Sequence, residues 1–140
     1  MLRAPSCDDV EVARFDDELY RNEGRAALSR VVSACPSFEP DDEETGLAWV
    51  EAGSLGRYLL MLLDNGRLAE VRAALAAMEQ IFVDDGPPGA INVIVTGLME
   101  SVPPTRDDFA ELLGQKSRRW WRGLNAYMSG LQPRLEPLDE

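Results

Sequence analysis

Residues 90–102 read AINVIVTGLMESV, and whether they form a strand or a helix decides the fold. Ile91, Val93, Ile94 and Val95 are β-branched and suit a buried strand. Ile91, Ile94, Val95, Leu98 and Val102 also recur at helical spacing, over a length too great for a typical strand. The helical reading is adopted, with Pro103 and Pro104 closing the segment. It makes the chain all-α, because the other apolar segments carry the same period.

Upstream, Leu68, Val71, Leu75, Met78 and Phe82 repeat by three and four, which predicts a helix ended by residues 84–88, DDGPP. A helix from near Leu47 precedes it, with Trp49, Ala52, Leu55, Tyr58, Leu59, Leu62 and Leu63 on its core face. Leu60 and Met61 make that helix apolar all round, which places it centrally. Asp64-Asn65-Gly66 is a stop-and-turn signal, so the next helix should return alongside. Near the start, Ser6-Cys7-Asp8-Asp9 has the form of a capping box. Val12, Phe15 and Leu19 make one apolar stripe, and Ala27, Leu28, Val31, Val32 and Cys35 resume it. That pattern predicts one long helix with a kink or break near Gly24.

Downstream, Thr105-Arg106-Asp107-Asp108 predicts a capped short helix reaching Leu113. A last helix follows from about Lys116 to Ser129, with Trp120, Leu124, Tyr127 and Leu131 as its stripe. Residues 36–46 read as an acidic connector and 131–140 as a loosely held tail. The 140 residues fit one domain, 1–140. The expected architecture is a compact bundle or short stacked-helix array of about five or six helices. Gly53 and Gly97, inside helices, are read as sites of close helix packing.

Composition narrows the function. There is no histidine, which removes the usual general base, the usual metal ligand and every Ser-His or Cys-His pair. With only Cys7 and Cys35, a zinc site lacks ligands, and both thiols are expected reduced. The 84–88 stretch lacks the ligand spacing of a calcium loop, and a carboxylate pair would need a sugar-binding cleft that so small a domain has little room for. The expectation is therefore a protein that is not an enzyme, with no metal and no cofactor. No apolar run reaches a membrane span, and the first residues lack a secretion signal, so a cytoplasmic location without membrane contact is expected.

Net charge is −11. Residues 1–115 hold 22 acids and 9 arginines, a net of −13, whereas 116–140 hold 3 acids and 5 bases, a net of +2. Such a body repels phosphate backbones and favours a basic partner. Lys116, Arg118, Arg119 and Arg122 beside Trp120 and Trp121 are read as helix faces that pair with the chain's own acids, with no nucleic acid bound. Asp8/Asp9 and Asp107/Asp108 stand where helix starts favour acids. Asp84 and Asp85 stand at a helix end, where the dipole disfavours them, and Asp41, Asp42, Glu43 and Glu44 have little capping duty. These six acids are the candidate partner-binding residues.

Asn92 to Ser101, Phe109 to Gly114 and Lys116 to Leu124 resemble the C-terminal half of a group of small uncharacterised bacterial helical proteins. In those, a Gly-x-x-Glu step precedes Leu-Gly-x-x-[ST]-x-x-x-Trp. Gly97, Glu100, Leu113, Gly114, Ser117 and Trp121 stand at the matching places. The resemblance implies a helical domain from a bacterial source and names no activity. The short, acidic profile is also similar in type to immunity proteins of bacterial toxin systems. That likeness implies a cytoplasmic inhibitor that occludes a basic surface of a cognate toxin domain. The alternative is a helical adaptor or subunit of a larger assembly, including a homodimer through the Trp49 or Trp121 surface.

Overall fold

In a computed structural model, residues 88–101 are helical throughout but change pitch along their length. The model describes residues 6–40 and 47–138, with the side chains of the first helix described from Asp17 onward. Pro88 opens an α-turn, Pro88–Asn92, as proline does well at a helix start. Val93–Leu98 then widens to a π-helical turn and Met99–Ser101 tightens to a 3₁₀ turn. Thr96 explains part of the change, because its hydroxyl donates to the Asn92 carbonyl (2.9 Å) and so competes for a ladder acceptor. Val93, Ile94, Val95, Leu98 and Met99 are all at most 1% exposed, so the β-branched run is the centre of the core. The helical expectation holds; a uniform α pitch does not.

The remaining elements are α1 (Ser6–Ser33), α2 (Ala48–Asp64), α3 (Leu68–Val83), α4 (the Pro88–Asn92 turn above), α5 (Asp107–Glu111) and α6 (Gln115–Met128). Among the described residues there is no strand. Helices α1, α2 and α3 pack pairwise on one another, the 88–101 segment lies against α1 and α2, and α6 lies against α3. A stacked array touches only sequential neighbours. The protein is an all-α bundle.

Helix α1 runs unbroken through Gly24, against the expected kink or break. A side chain there would come within 2.5 Å of the Trp49 ring, so Gly24 serves contact between helices rather than a bend. The Trp49 indole N–H donates to Asn92 Oδ1 (2.8 Å) and the ring stacks on Tyr20 with centroids 5.8 Å apart, tying α1, α2 and α4 together. In α2, Ala52, Leu55, Leu59 and Leu62 are buried as expected, while Met61 is exposed. Gly97 meets this helix closely, since an added Cβ would lie 2.8 Å from that of Ala52.

Helices α2 and α3 end in the same way. At α2, the Arg67 N–H donates to the Leu62 carbonyl (2.9 Å) and Gly66 takes φ +74°. At α3, the Gly86 N–H donates to the Ile81 carbonyl (3.0 Å) and Asp85 takes φ +55°. Both are left-handed C-terminal caps, and aspartate is among the few non-glycine residues that tolerate that conformation.

Four expectations near the C-terminus need correction. Thr105 does not cap α5; the Asp108 carboxylate instead accepts from the Phe109 N–H (2.9 Å) and from Arg106 Nε (3.0 Å), and the helix stops at Glu111. The inward face of α6 is Ser117, Trp121 and Leu124, whereas Tyr127 and Leu131 are exposed. Trp121 packs on Phe109 (centroids 5.5 Å), and Trp120 sits one position round, stacked on Phe82 (6.0 Å). Arg118, expected to answer the chain's acids, donates instead to the Glu111 (3.1 Å) and Leu113 (3.2 Å) carbonyls at the end of α5. Residues 131–138, expected as a loose tail, run back along α6: the Leu138 N–H donates to the Arg119 carbonyl (3.0 Å) and Gln132 Nε2 to that of Gly123 (3.1 Å).

Candidate functional site

Asp84 and Asp85 are exposed at the C-terminal end of α3, on the rim of a cleft of about 480 Å³ between α1 and the 84–90 segment. Its floor is apolar, with Ala26, Ala27, Ile81 and Ala90, and Leu19 at one edge. The charged residues lining it are Glu23, Arg30, Asp84 and Asp85, three acids to one base. The small alanines open the cleft, because helix α1 presents little volume there. Asp84 accepts from Gln80 Nε2 (2.7 Å) and lies 3.8 Å from Arg30, both partners half exposed. Such an exposed, long pair adds little stability and leaves the rim acidic. Asp85 also borders a smaller cleft of about 220 Å³ shared with Lys116, Arg119 and Trp120. The candidate acids Asp41, Asp42, Glu43 and Glu44 lie outside the described residues.

A second cleft, of about 440 Å³, opens on the other side of α1. Arg21 and Arg25 line it together with Leu47, Trp49 and Val50. The two clefts therefore flank one helix, acids outnumbering bases along the first and arginines lining the second, and Asn22 borders both.

Several acids do work that the sequence reading missed. Glu51 is buried within α2, and its carboxylate accepts from Arg25 Nη1 at 3.0 Å. A buried carboxylate needs such a partner. Its place one turn before Leu55, on the buried face, was the available signal. Glu79 reaches from α3 to the start of α6, accepting from the Lys116 N–H (3.1 Å), the Ser117 N–H (2.8 Å) and the Ser117 hydroxyl (2.7 Å). Glu23 does the same for α4, accepting from the Gly89 N–H (2.9 Å). Helix starts hold unpaired N–H groups, so a carboxylate from a neighbouring helix satisfies them and the dipole together.

Cys35 is fully buried and free. Burial, with the nearby Glu70 charge, pushes its thiol up to about 11, which keeps it protonated and unreactive near neutral pH. Glu70 is held below the usual carboxylate range, chiefly by the Ser37 N–H donated to it at 2.8 Å. Arg106 Nη2 bridges Asp64 (2.7 Å) and Asp108 (3.0 Å), and its hydrogen bond holds the Asp108 carboxyl low. Among the described residues, no three acids or cysteines gather as metal ligands, and no helix is long and apolar enough to cross a membrane.

The fold and the cleft together define a small all-helical domain with an acid-rimmed apolar cleft beside α1. A family model described as "Domain of unknown function (DUF7674)" matches residues 28–129, and the chain belongs to that family. No curated protein and no solved structure matches the chain. Gly97, Glu100, Leu113, Gly114, Ser117 and Trp121 all fall within the matched stretch. Most have architectural places: Gly97 against α2, Gly114 and Ser117 on Glu79, and Leu113 and Trp121 in the core. The match begins part-way along α1, so cleft residues 19–27 precede it.

Proposed function

We propose that this chain is a protein-binding inhibitor that covers a basic surface of its partner, acting as immunity proteins act on toxin domains in the cytoplasm. The observation that carries the reading is the exposed Asp84–Asp85 pair on the rim of an apolar cleft, in a chain of net charge −11. Apolar anchors supply affinity at such a surface, and matched charge supplies the on-rate and excludes wrong partners. The test is to express the proteins encoded beside this chain's own reading frame, one of which should carry a domain that stops cell growth. Co-expression of this chain should restore growth, and the double variant Asp84→Lys/Asp85→Lys should fail to. Absence of rescue and of co-purification with that domain would discard the inhibitor role.

A second reading, a subunit of a larger assembly or a homodimer, has one observation in its favour. Tyr127, Met128 and Leu131 are 42%, 59% and 82% exposed and sit together at the end of α6. Clustered apolar exposure of this kind marks contact sites. Light scattering distinguishes the two, because an inhibitor acting alone should be monomeric.

A further inference from the structure

Residues 131–138 form a strap that lies on α6 without entering the core. The chain reverses at Gly130 (φ +78°), where the Leu131 N–H donates to the Ala126 carbonyl (2.8 Å), and then runs back along the helix. The Leu138 N–H donates to the Arg119 carbonyl, and Gln132 Nε2 donates to the carbonyls of Gly123 (3.1 Å) and Glu136 (3.0 Å). Gly123 permits this close approach, because a side chain there would overlap the Glu136 carbonyl oxygen. No residue of the strap is fully buried; Leu135 packs against the edge of the core. Space remains beside it. Leu135 borders a cleft of about 340 Å³ with Tyr20, Pro88 and Val95, and Pro137 borders the cleft of about 220 Å³. Ile91 and Trp120 line both.

We infer that the groove beneath this strap takes an extended segment of the partner protein, with an aromatic residue two places before a proline, and that residues 135–138 occupy it until the partner does. The spacing is that of Leu135 and Pro137, whose intervening backbone already fits over Gly123. An aromatic ring in the place of Leu135 would fill the cleft that leucine leaves, against the rings of Tyr20 and Trp120. That added contact is what lets an incoming segment displace a tethered one, which competes at a high effective concentration. The groove also continues the surface proposed for partner binding. Asp85 lines both the acid-rimmed cleft and the smaller one beside Pro137, and Gly86 lines the acid-rimmed cleft and the larger one beside Leu135. The family match ends at residue 129, so α6 with Trp120 and Gly123 lies within the family's domain and the strap lies beyond it. The inference rests on the protein-binding reading and adds a second contact to it.

The test uses the full chain and a fluorescein-labelled synthetic peptide with the sequence of residues 131–138, followed by anisotropy, beside the same peptide with phenylalanine at the place of Leu135. The variant Leu135→Ser/Pro137→Ser loosens the strap and should bind the first peptide about tenfold more tightly than the parent chain does. The phenylalanine peptide should bind that variant about fivefold more tightly again. Gly123→Ala expels strap and peptide alike, so it should bind neither, while circular dichroism shows it as helical as the parent. No binding to the loosened variant, or binding that Gly123→Ala leaves intact, would overturn the groove. A phenylalanine peptide no tighter than the leucine one would overturn the partner chemistry. In the growth assay, Gly123→Ala should lose rescue and the loosened variant should keep it. Full rescue by Gly123→Ala would remove the groove and leave the inhibitor standing. The expected peptide pattern in a chain that rescues nothing would keep the groove and remove the inhibitor.

Discussion

Two junctions in this molecule use one device and depend on different parts of it. At each, a glutamate from a long helix satisfies the start of another helix, and a glycine lets the two approach: Glu23 with Gly89 for α4, Glu79 with Gly114 for α6. The α4 junction presses backbone on backbone, since a side chain on Gly89 would overlap the Tyr20 carbonyl oxygen and the Glu23 side chain. The α6 junction presses backbone on a side chain, since the atoms nearest a side chain added at Gly114 are those at the end of Glu79. A backbone carbonyl held in a helix cannot move aside, whereas a side chain can. The first junction therefore rests on the glycine, and the second on the glutamate.

The largest effect should follow Gly89→Ala, a loss of about 3 kcal/mol in urea unfolding, because α1 and α4 must separate. A loss no greater than that of Gly114→Ala would break the comparison. Glu79→Ala should come next, at about 2 kcal/mol, since it leaves two N–H groups and the buried Ser117 hydroxyl without their acceptor. Glu23→Ala removes a single acceptor and should cost about 1 kcal/mol. Equal losses for the two glutamates would show that bond number does not set the difference.

The smallest effects are pH-dependent and sit outside both junctions, which makes them a control. Glu70 has a folded pKa below its ordinary value, so its contribution is present above the ordinary carboxylate range and is lost as pH falls through the folded value. Glu70→Gln should flatten the acid side of the stability curve without altering the ranking of the junction variants. Cys35 has the opposite sign. Its pKa is raised to about 11, so its contribution holds below the ordinary thiol value and fades as pH rises toward that figure. Alkylation of Cys35 by iodoacetamide at neutral pH should track unfolding, and rapid labelling of the native protein would contradict its burial.

Part of this was legible in residue order. The period of α3 placed Val71, Leu75, Met78 and Phe82 in the core, where they lie, and Asp64-Asn65-Gly66 announced a left-handed cap. The helical spacing of residues 90–102 outweighed their β-branching, because a segment buried on all sides can be helical whatever its propensity. The α6 stripe was placed one position away because two tryptophans in succession satisfy the period in either register. Contacts with Phe109 and Glu79 chose between them.

The site divides in the same way. Asp84 and Asp85 stood out as acids at a helix end, and the structure adds that Asp85 occupies the left-handed cap position. The cleft beside them was invisible, because its walls come from residues about 60 positions apart. Glu23, Glu51 and Glu79 looked like surface charge, since a carboxylate's role depends on which helix end or arginine faces it.

By itself, the order of residues determined the helical class, the stops and the sign of the surface, because periodicity, caps and charge are local or additive. Only the tertiary structure decided which face of α1 and of α6 turns inward, and where acids meet helix starts. Those outcomes depend on distances between segments, and helical spacing carries no record of which neighbour will be there.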